Sequence, residues 1–213
     1  MAEVEYRVAT PEYAEQMLAL EYLCFPTIDR DDLISIAEIE MQFEVFPEGG
    51  FMVLDGERVV GIASGVFVNY DISEPQHSMG DVIGETGADK HDPSGDWYYG
   101  KDIAVHPEFR GMGIGRRLYE LRKQVVKDHG RRGIIAGGVI PGFADHKDEM
   151  TAAEYVKAVT AGDLFDSTLS MQIANGFEAR GVISDYVDDQ TTDGWASFIV
   201  WFNPDVPRPN TGT

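Results

Sequence analysis

Trp97-Tyr98-Tyr99-Gly100-Lys101-Asp102-Ile103-Ala104-Val105-His106-Pro107-Glu108-Phe109-Arg110-Gly111-Met112-Gly113-Ile114-Gly115-Arg116 is the stretch on which the fold turns. Trp97 to His106 reads as a strand stopped by Pro107. Glycines at 111, 113 and 115 follow, and the stripe Ile114, Leu118, Leu121 and Val125 then opens a helix. A glycine turn between a strand and a helix leaves backbone N–H groups without helical partners, and the helix dipole adds positive potential there. Such a turn suits a phosphate or pyrophosphate, with Arg116 and Arg117 in reach of further phosphate groups. The dinucleotide pattern Gly-x-Gly-x-x-Gly fails, because the sixth position from Gly111 is Arg116, and the chain has no Gly-Lys-Ser/Thr tripeptide. What remains is the spacing Arg110-x-x-Gly113-x-Gly115.

Charge singles out the same region. The 213 residues carry a net charge of −20, yet Lys101 to Arg132 holds nine bases and four acids. An acidic chain with one basic island implies a local anionic ligand and disfavours nucleic acid or an anionic membrane as a partner of the whole surface. The acidity elsewhere has two readings, steering of a cationic amine or a whole-surface adaptation to high salt, and its even spread favours the second. With Cys24 alone, neither a disulfide framework nor a cysteine-rich zinc site is expected. The acidic N-terminus does not read as a signal peptide, and no run approaches a membrane span. A cytoplasmic location is the resulting expectation.

Outward from the glycine turn, the pattern predicts one α/β domain over 1–213. A strand at 4–9 leads into a helix capped by Thr10-Pro11, whose face is Tyr13, Met17, Leu20 and Cys24. Asp32 to Phe46 reads as a second helix, and Phe51–Leu54 with Arg58–Tyr70 as a hairpin turning at Asp55-Gly56. Gly61 and Gly65 mark bulges or close packing. Residues 71–96 and 143–166 read as surface insertions, the second holding the capping box Thr151–Glu154. Strands at 134–140, 178–183 and 195–202, a helix at 168–175 and a loose tail over 203–213 complete the order.

These motifs resemble the GCN5-related N-acetyltransferases, whose signature is Arg/Gln-x-x-Gly-x-Gly/Ala. Ile103 to Gly111 is similar to the strand and turn that enter that loop, and Ala174-Asn175-Gly176-Phe177 to the family's late helix end. Tyr98 to Asp102, Gly137 to Gly142 and Asp166 to Gln172 also resemble a subgroup often fused to, or encoded beside, carbon–nitrogen hydrolases. The resemblance implies a mixed, mostly antiparallel sheet flanked by helices and splayed near Val105 to admit acetyl-CoA as co-substrate, without a metal. It implies that Ile103, Ala104 and Val105 pair with the pantetheine arm, and that Arg110, Gly111, Met112, Gly113, Ile114, Gly115 and Arg116 hold the pyrophosphate. A small-molecule or peptide amine would be acylated by direct attack, and a homodimer is in keeping with the family.

For the base, the candidates are Tyr99, Lys101 and Asp102 on the entering strand; alternation sets Tyr99 and Lys101 on one face and Asp102 on the other. The family's proton-donating tyrosine is replaced by Gln172, with Tyr155 and Tyr186 as substitutes. That departure keeps open an alternative, a non-catalytic acyl-CoA sensor or accessory module of a carbon–nitrogen hydrolase. Elsewhere bland readings prevail. Cys24 is a packed small hydrophobe and Ser64 a plain strand serine. His77 and His91 read as surface histidines, with a substrate-lid role as the alternative, Arg122 belongs to a solvated helix face, and Asp145, His146, Asp148 and Glu149 form an acidic loop rather than a metal site. Asp188 to Gly194 fails the calcium-loop pattern, with Ile199 in its twelfth position.

Overall fold

The computed structural model describes residues 4–208. In chain order it places β1 (Glu5–Val8), α1 (Ala14–Cys24), α2 (Ile36–Val45), β2 (Gly50–Asp55), β3 (Arg58–Val68), α3 (Met79–Ile83) and β4 (Trp97–Val105). Then come α4 (Ile114–Asp128), β5 (Gly133–Val139), α5 (Ala152–Ala161), α6 (Leu169–Ala174), β6 (Glu178–Ile183) and β7 (Ala196–Phe202). The strands form one seven-stranded sheet, β1-β2-β3-β4-β5-β7-β6, antiparallel except between β4 and β5. This is the mixed, mostly antiparallel α/β architecture expected.

Helices cover both faces, as a sheet with two apolar faces requires. On one, Met17, Leu20 and Ile39 of α1 and α2 pack on Met52, Ile62 and Ala104. On the other, Ile114 and Leu118 of α4 pack on Phe51, Val53 and Ala63. Further along that face Tyr119 and Val126 join Tyr98, Ile134 and α5's Tyr155, Val156 and Val159. Burying each of the Val, Leu, Ile, Phe and Met side chains among them contributes about 1.5–3 kcal/mol.

Several local expectations shift. Helix α2 starts at Ile36 rather than Asp32, because Ser35 and Glu38 form a reciprocal capping box. Thr10 makes no side-chain cap, and Pro11–Tyr13 is a short 3-10 turn ahead of α1. The hairpin turns at Gly56-Glu57, since Asp55 pairs with Arg58 and Gly56 takes the left-handed φ of +62°. Bulges do fall beside Gly61 and Gly65. Segment 71–96 is more than a surface excursion: Ile72, Val82, Ile83 and Ala88 belong to a core cluster with β3 and β4. Helix α5 begins at the predicted Thr151–Glu154 box. In the tail, Asn203 is buried and its side chain donates to the Arg131 carbonyl; residues 209–213 lie outside the described residues.

The feature that positions the site lies between β4 and β5. Their pairing stops after Trp97, Tyr98 and Tyr99 meet Gly133, Ile134 and Ile135, while β5 continues on β7 to Val139. The sheet is therefore open from Gly100 onward, not only near Val105. Arg122 wedges this opening, with Nη1 3.2 Å from where a Cβ on Gly100 would stand.

Candidate functional site

A cleft of about 1430 Å³ follows from this splay. Arg110, Gly111 and Gly113 to Arg116 line it, together with Glu21, Cys24, Lys101 and Asp102 and with Asp31, Asp188 and Tyr186. Gly111 and Gly113 adopt φ of +76° and +86°, and a Cβ on either would meet nothing within 4 Å. Glycine is thus needed there for conformation, not space. Gly115 has an ordinary helical conformation, and its Cβ would touch only Val105 Cγ2, at 3.9 Å. Gly113 caps α4 without a side-chain bond. From Gly111 to Arg116 no backbone N–H meets an acceptor among the described residues. Six unpaired donors around a helix N-terminus form a cradle complementary to a pyrophosphate.

The predicted loop and strand residues come together in this cleft. Ile103, Ala104 and Val105 line it on the unpaired edge of β4, and the Val105 carbonyl already accepts Arg110 Nε at 3.1 Å and the Cys24 thiol at 3.4 Å. Met112 is 47 % exposed beside it. Arg116 and Arg117 both pair with Glu120, at 3.3 and 3.0 Å, which offsets their charge at the loop.

The β4 bulge revises the face assignment. Gly65 pairs with Gly100 and Ser64 with Asp102, leaving Lys101 as the extra residue. The side-chain phase therefore inverts: Tyr98 and Ile103 face α4, whereas Tyr99 and Ala104 face the opposite layer. Asp102, two residues before Ala104, lies on that second face with Tyr99, contrary to strict alternation. Lys101 Nζ donates to the Gly87 carbonyl at 3.0 Å, and burial lowers its pKa.

Asp102 anchors a buried polar cluster. It accepts the Ser64 hydroxyl and stands 3.7 Å from Arg122 Nη2, with side chains 5 % and 3 % exposed. Arg122 Nη2 also donates to the Ser64 carbonyl at 2.6 Å. Glu21 of α1, 4 % exposed, completes the group; burial, then the Asp102 charge, hold its carboxyl well above the usual range. Glu21 Oε2, Asp102 Oδ1 and Arg122 Nε have no hydrogen-bond partner. Two carboxylates facing one guanidinium favour a protonated Glu21, and all three side chains line the cleft.

Glu21 and Arg122 escape the sequence reading, although a signal exists. Glu21 falls four residues after Met17 and Arg122 four after Leu118, each within its helix's apolar face. Ser64 is part of the same cluster rather than a plain strand serine. The histidines are not at the surface: His77 is 7 % exposed, and His91 stacks on Phe46 at 4.7 Å.

Among the tyrosines, Tyr155 is buried away from the cleft, donating to Asp166 at 3.0 Å. Tyr186 lines the cleft; a Cβ on Gly137 of β5 would stand 2.3 Å from its ring. Tyr99 lies behind it, fully buried, with its hydroxyl 2.9 Å from that of Tyr186. Gln172 reaches the lining, and its Oε1 is unpartnered. Burial raises the Cys24 thiol. Among the described residues no three His, Cys, Asp or Glu side chains converge to hold a metal, and no helix is long and apolar enough to cross a membrane.

Comparison with known proteins places this geometry. The profile of the acetyltransferase (GNAT) family matches residues 14–141. The chain is 34 % identical over 195 residues to the probable hydrolase YhcX of Bacillus subtilis (strain 168), covering 90 % of this chain and 37 % of that protein. It is 27 % identical over 190 residues to that organism's uncharacterized N-acetyltransferase YkwB, covering 89 % of this chain and 84 % of that protein. Among solved structures, the loading GNATL domain of CurA from Lyngbya majuscula superposes with a TM-score of 0.81 at 18 % identity, covering 95 % of this chain and 99 % of that one. The GphF GNAT-like decarboxylase in complex with isobutyryl-CoA gives 0.77 at 20 %, covering 93 % and 99 %. At such identities the two structures speak for the fold.

Proposed function

The chain belongs to the acetyltransferase (GNAT) family, and from that premise we propose that it transfers an acyl group, acetyl first among them, from acyl-CoA to a primary amine. The observation that carries this reading is the cradle of six unpaired N–H groups from Gly111 to Arg116, opening onto a splayed strand edge. The cradle would hold the pyrophosphate, and the free edge of Ile103 to Val105 the pantetheine arm. An acyl-CoA bound there supplies an electrophilic thioester carbonyl and a thiolate leaving group.

The chain's own groups then face the reacting atoms. Glu21, kept protonated by burial and by Asp102, is the proton donor for the departing sulfur, a task Gln172 cannot perform. Arg122 and Asp102 fix its surroundings by charge and hydrogen bonding. The test is calorimetric titration with acetyl-CoA, ATP and NAD, followed by thiol release across an amine panel. Binding of acetyl-CoA alone with amine-dependent thiol release supports the proposal; no acetyl-CoA binding refutes it.

A second reading rests on two observations, Gln172 at the family's tyrosine position and a hydrolase relative of which this chain spans 37 %. In that reading the chain binds acyl-CoA without turnover, as a sensor or as an accessory to a carbon–nitrogen hydrolase. Tight acetyl-CoA binding with no thiol release from any amine distinguishes it.

A further inference from the structure

Three hydroxyl and imidazole groups form a continuous chain leading from the cleft into the protein. Tyr186, at the cleft, is 2.9 Å from the Tyr99 hydroxyl, and the Tyr99 hydroxyl is 2.9 Å from His77 Nε2. His77 Nδ1 lies 2.8 Å from the Pro75 carbonyl and 2.9 Å from the Tyr70 hydroxyl. These contacts determine the proton positions. A carbonyl only accepts, so Nδ1 carries the hydrogen. Tyr70 donates its own hydrogen to the Glu74 carbonyl and so receives, rather than supplies, at Nδ1. The Nε2 lone pair is then left for the Tyr99 O–H, and the Tyr99 oxygen for the Tyr186 O–H. Every hydrogen in the chain points from Tyr186 toward His77, and the Tyr186 oxygen, which the Gly137 N–H also faces, keeps a lone pair for a further donor. Tyr99 is fully buried and His77 and Tyr186 are each 7 % exposed, so protons move along the chain without exchange with bulk water on the way.

We propose that Tyr186, Tyr99 and His77 form a proton relay that takes the first proton from the acceptor's ammonium group, with His77 as its store. The proposal rests on the acyl-transfer reading above and supplies the base which that reading leaves unassigned. The ammonium proton passes to the Tyr186 oxygen as the Tyr186 hydrogen moves to Tyr99 and the Tyr99 hydrogen to His77 Nε2, giving an imidazolium held at Nδ1 by Pro75 and Tyr70. The freed nitrogen lone pair forms the N–C bond to the thioester carbonyl carbon. The C–S bond breaks with its electron pair on sulfur, which takes the proton of Glu21. The second nitrogen proton restores Glu21. After product release the His77 proton returns along the chain to water in the emptied cleft. One amide, one thiol and one released proton result.

The surroundings of His77 suit this duty. Burial lowers its pKa, so the resting imidazole is neutral with the Nε2 lone pair open; the Pro75 carbonyl, then the Asp81 charge of α3, oppose that shift and favour the imidazolium. Its other titratable neighbours are Tyr70 after β3, Tyr99 of β4 and Tyr186 before β7, while Phe198 of β7 packs on its ring. Tyr70 and Tyr186 are pushed up to about 12 by burial, so they pass protons without ionising.

Two measurements test the relay. The first needs no substrate: nitrogen NMR of imidazole-labelled wild-type protein at pH 7.5. The relay requires His77 to be protonated at Nδ1 and bare at Nε2; an Nε2–H tautomer overturns it, whether or not any amine is acetylated. The second uses Tyr99→Phe, His77→Gln and the double variant, each first checked for unchanged acetyl-CoA affinity. With an amine that the wild type acetylates, each single variant is expected to lose at least ten-fold in kcat. The double variant is expected to lose no more than either, because all three break one chain. The acidic limb of the wild-type kcat profile, set by His77 below pH 6.5, is expected to vanish in His77→Gln. Wild-type kcat in Tyr99→Phe overturns the relay while leaving the acyl-transfer reading intact. Loss of acetyl-CoA binding by the wild type would instead strike that reading, with the tautomer still deciding the relay.

Discussion

Replacing Gly115 by leucine separates ligand binding from folding. The residue is the second of α4, its φ is ordinary, and a Cβ there meets only Val105 Cγ2, at 3.9 Å. Leucine exceeds glycine in helix propensity by about 0.8–1 kcal/mol, so the folded state is not expected to lose stability. The rest of the side chain extends into the cleft that Gly115 lines, over the unpaired N–H groups. A pyrophosphate pushed off two of them loses about 1.5–3 kcal/mol for each charge-assisted hydrogen bond. The combined loss of about 3–6 kcal/mol weakens acetyl-CoA binding by roughly 10²–10⁴-fold. Calorimetric titration beside thermal melts is the assay: Tm equal to or above wild type, with affinity reduced at least a hundredfold. Gly115→Ala serves as the control that adds helix propensity without bulk. Gly113→Leu is a poorer choice, because its φ of +86° strains any L side chain and mixes a folding defect with a binding defect. Unchanged affinity in a folded Gly115→Leu protein would refute the assignment of the cradle.

Glu21→Gln keeps the shape of a neutral carboxyl but cannot release a proton, so kcat is expected to fall about 10²–10⁴-fold at unchanged acetyl-CoA affinity; turnover within threefold of wild type would remove Glu21 from the reaction. The same substitution alters stability against pH. Glu21 ionises near 4.5 when unfolded and well above that when folded. Its neutral form therefore stabilises the fold fully below about pH 4.5, and that contribution is lost as pH rises through the folded value. Melts from pH 5 to 9 should show wild type losing more stability than Glu21→Gln, and parallel curves would contradict the raised pKa. Arg122→Ala leaves the Ser64 carbonyl and Asp102 buried without their cation and is expected to destabilise by about 3–5 kcal/mol in urea unfolding. A loss under 1 kcal/mol would show that Arg122 is not the wedge holding β4 from β5.

The glycine loop was legible because its requirements are local. Positive φ at Gly111 and Gly113, Pro107 closing the strand and the stripe beginning at Ile114 all act within a few residues. The capping box at Thr151 and Glu154 was legible for the same reason. Glu21 and Arg122 are not legible as site residues, and His77 is legible only as a surface or lid histidine, since a charged residue in a helix or a histidine in a polar segment has a surface position as its ordinary reading. Each had a trace in the pattern, Glu21 and Arg122 falling within the apolar face of their helices, but what they pair with is far away. Arg122 meets Ser64, 58 residues distant, and His77 meets Tyr99, 22 distant.

The sequence by itself determined the order of the seven strands and of every helix but α3, the glycine cradle after β4 and the family to which these belong, because periodicity, caps and turn residues act through neighbouring backbone. Tertiary structure alone decided which polar groups line the cleft. One extra residue at Lys101 inverts the phase of β4 and brings Asp102 to the face of Tyr99, and three packed layers bring α1, α4 and segment 71–96 to one opening in the sheet. Bulge register and long-range packing are settled by the whole core at once. The charged and hydroxyl groups they bury acquire their proton affinities only when that core has closed around them.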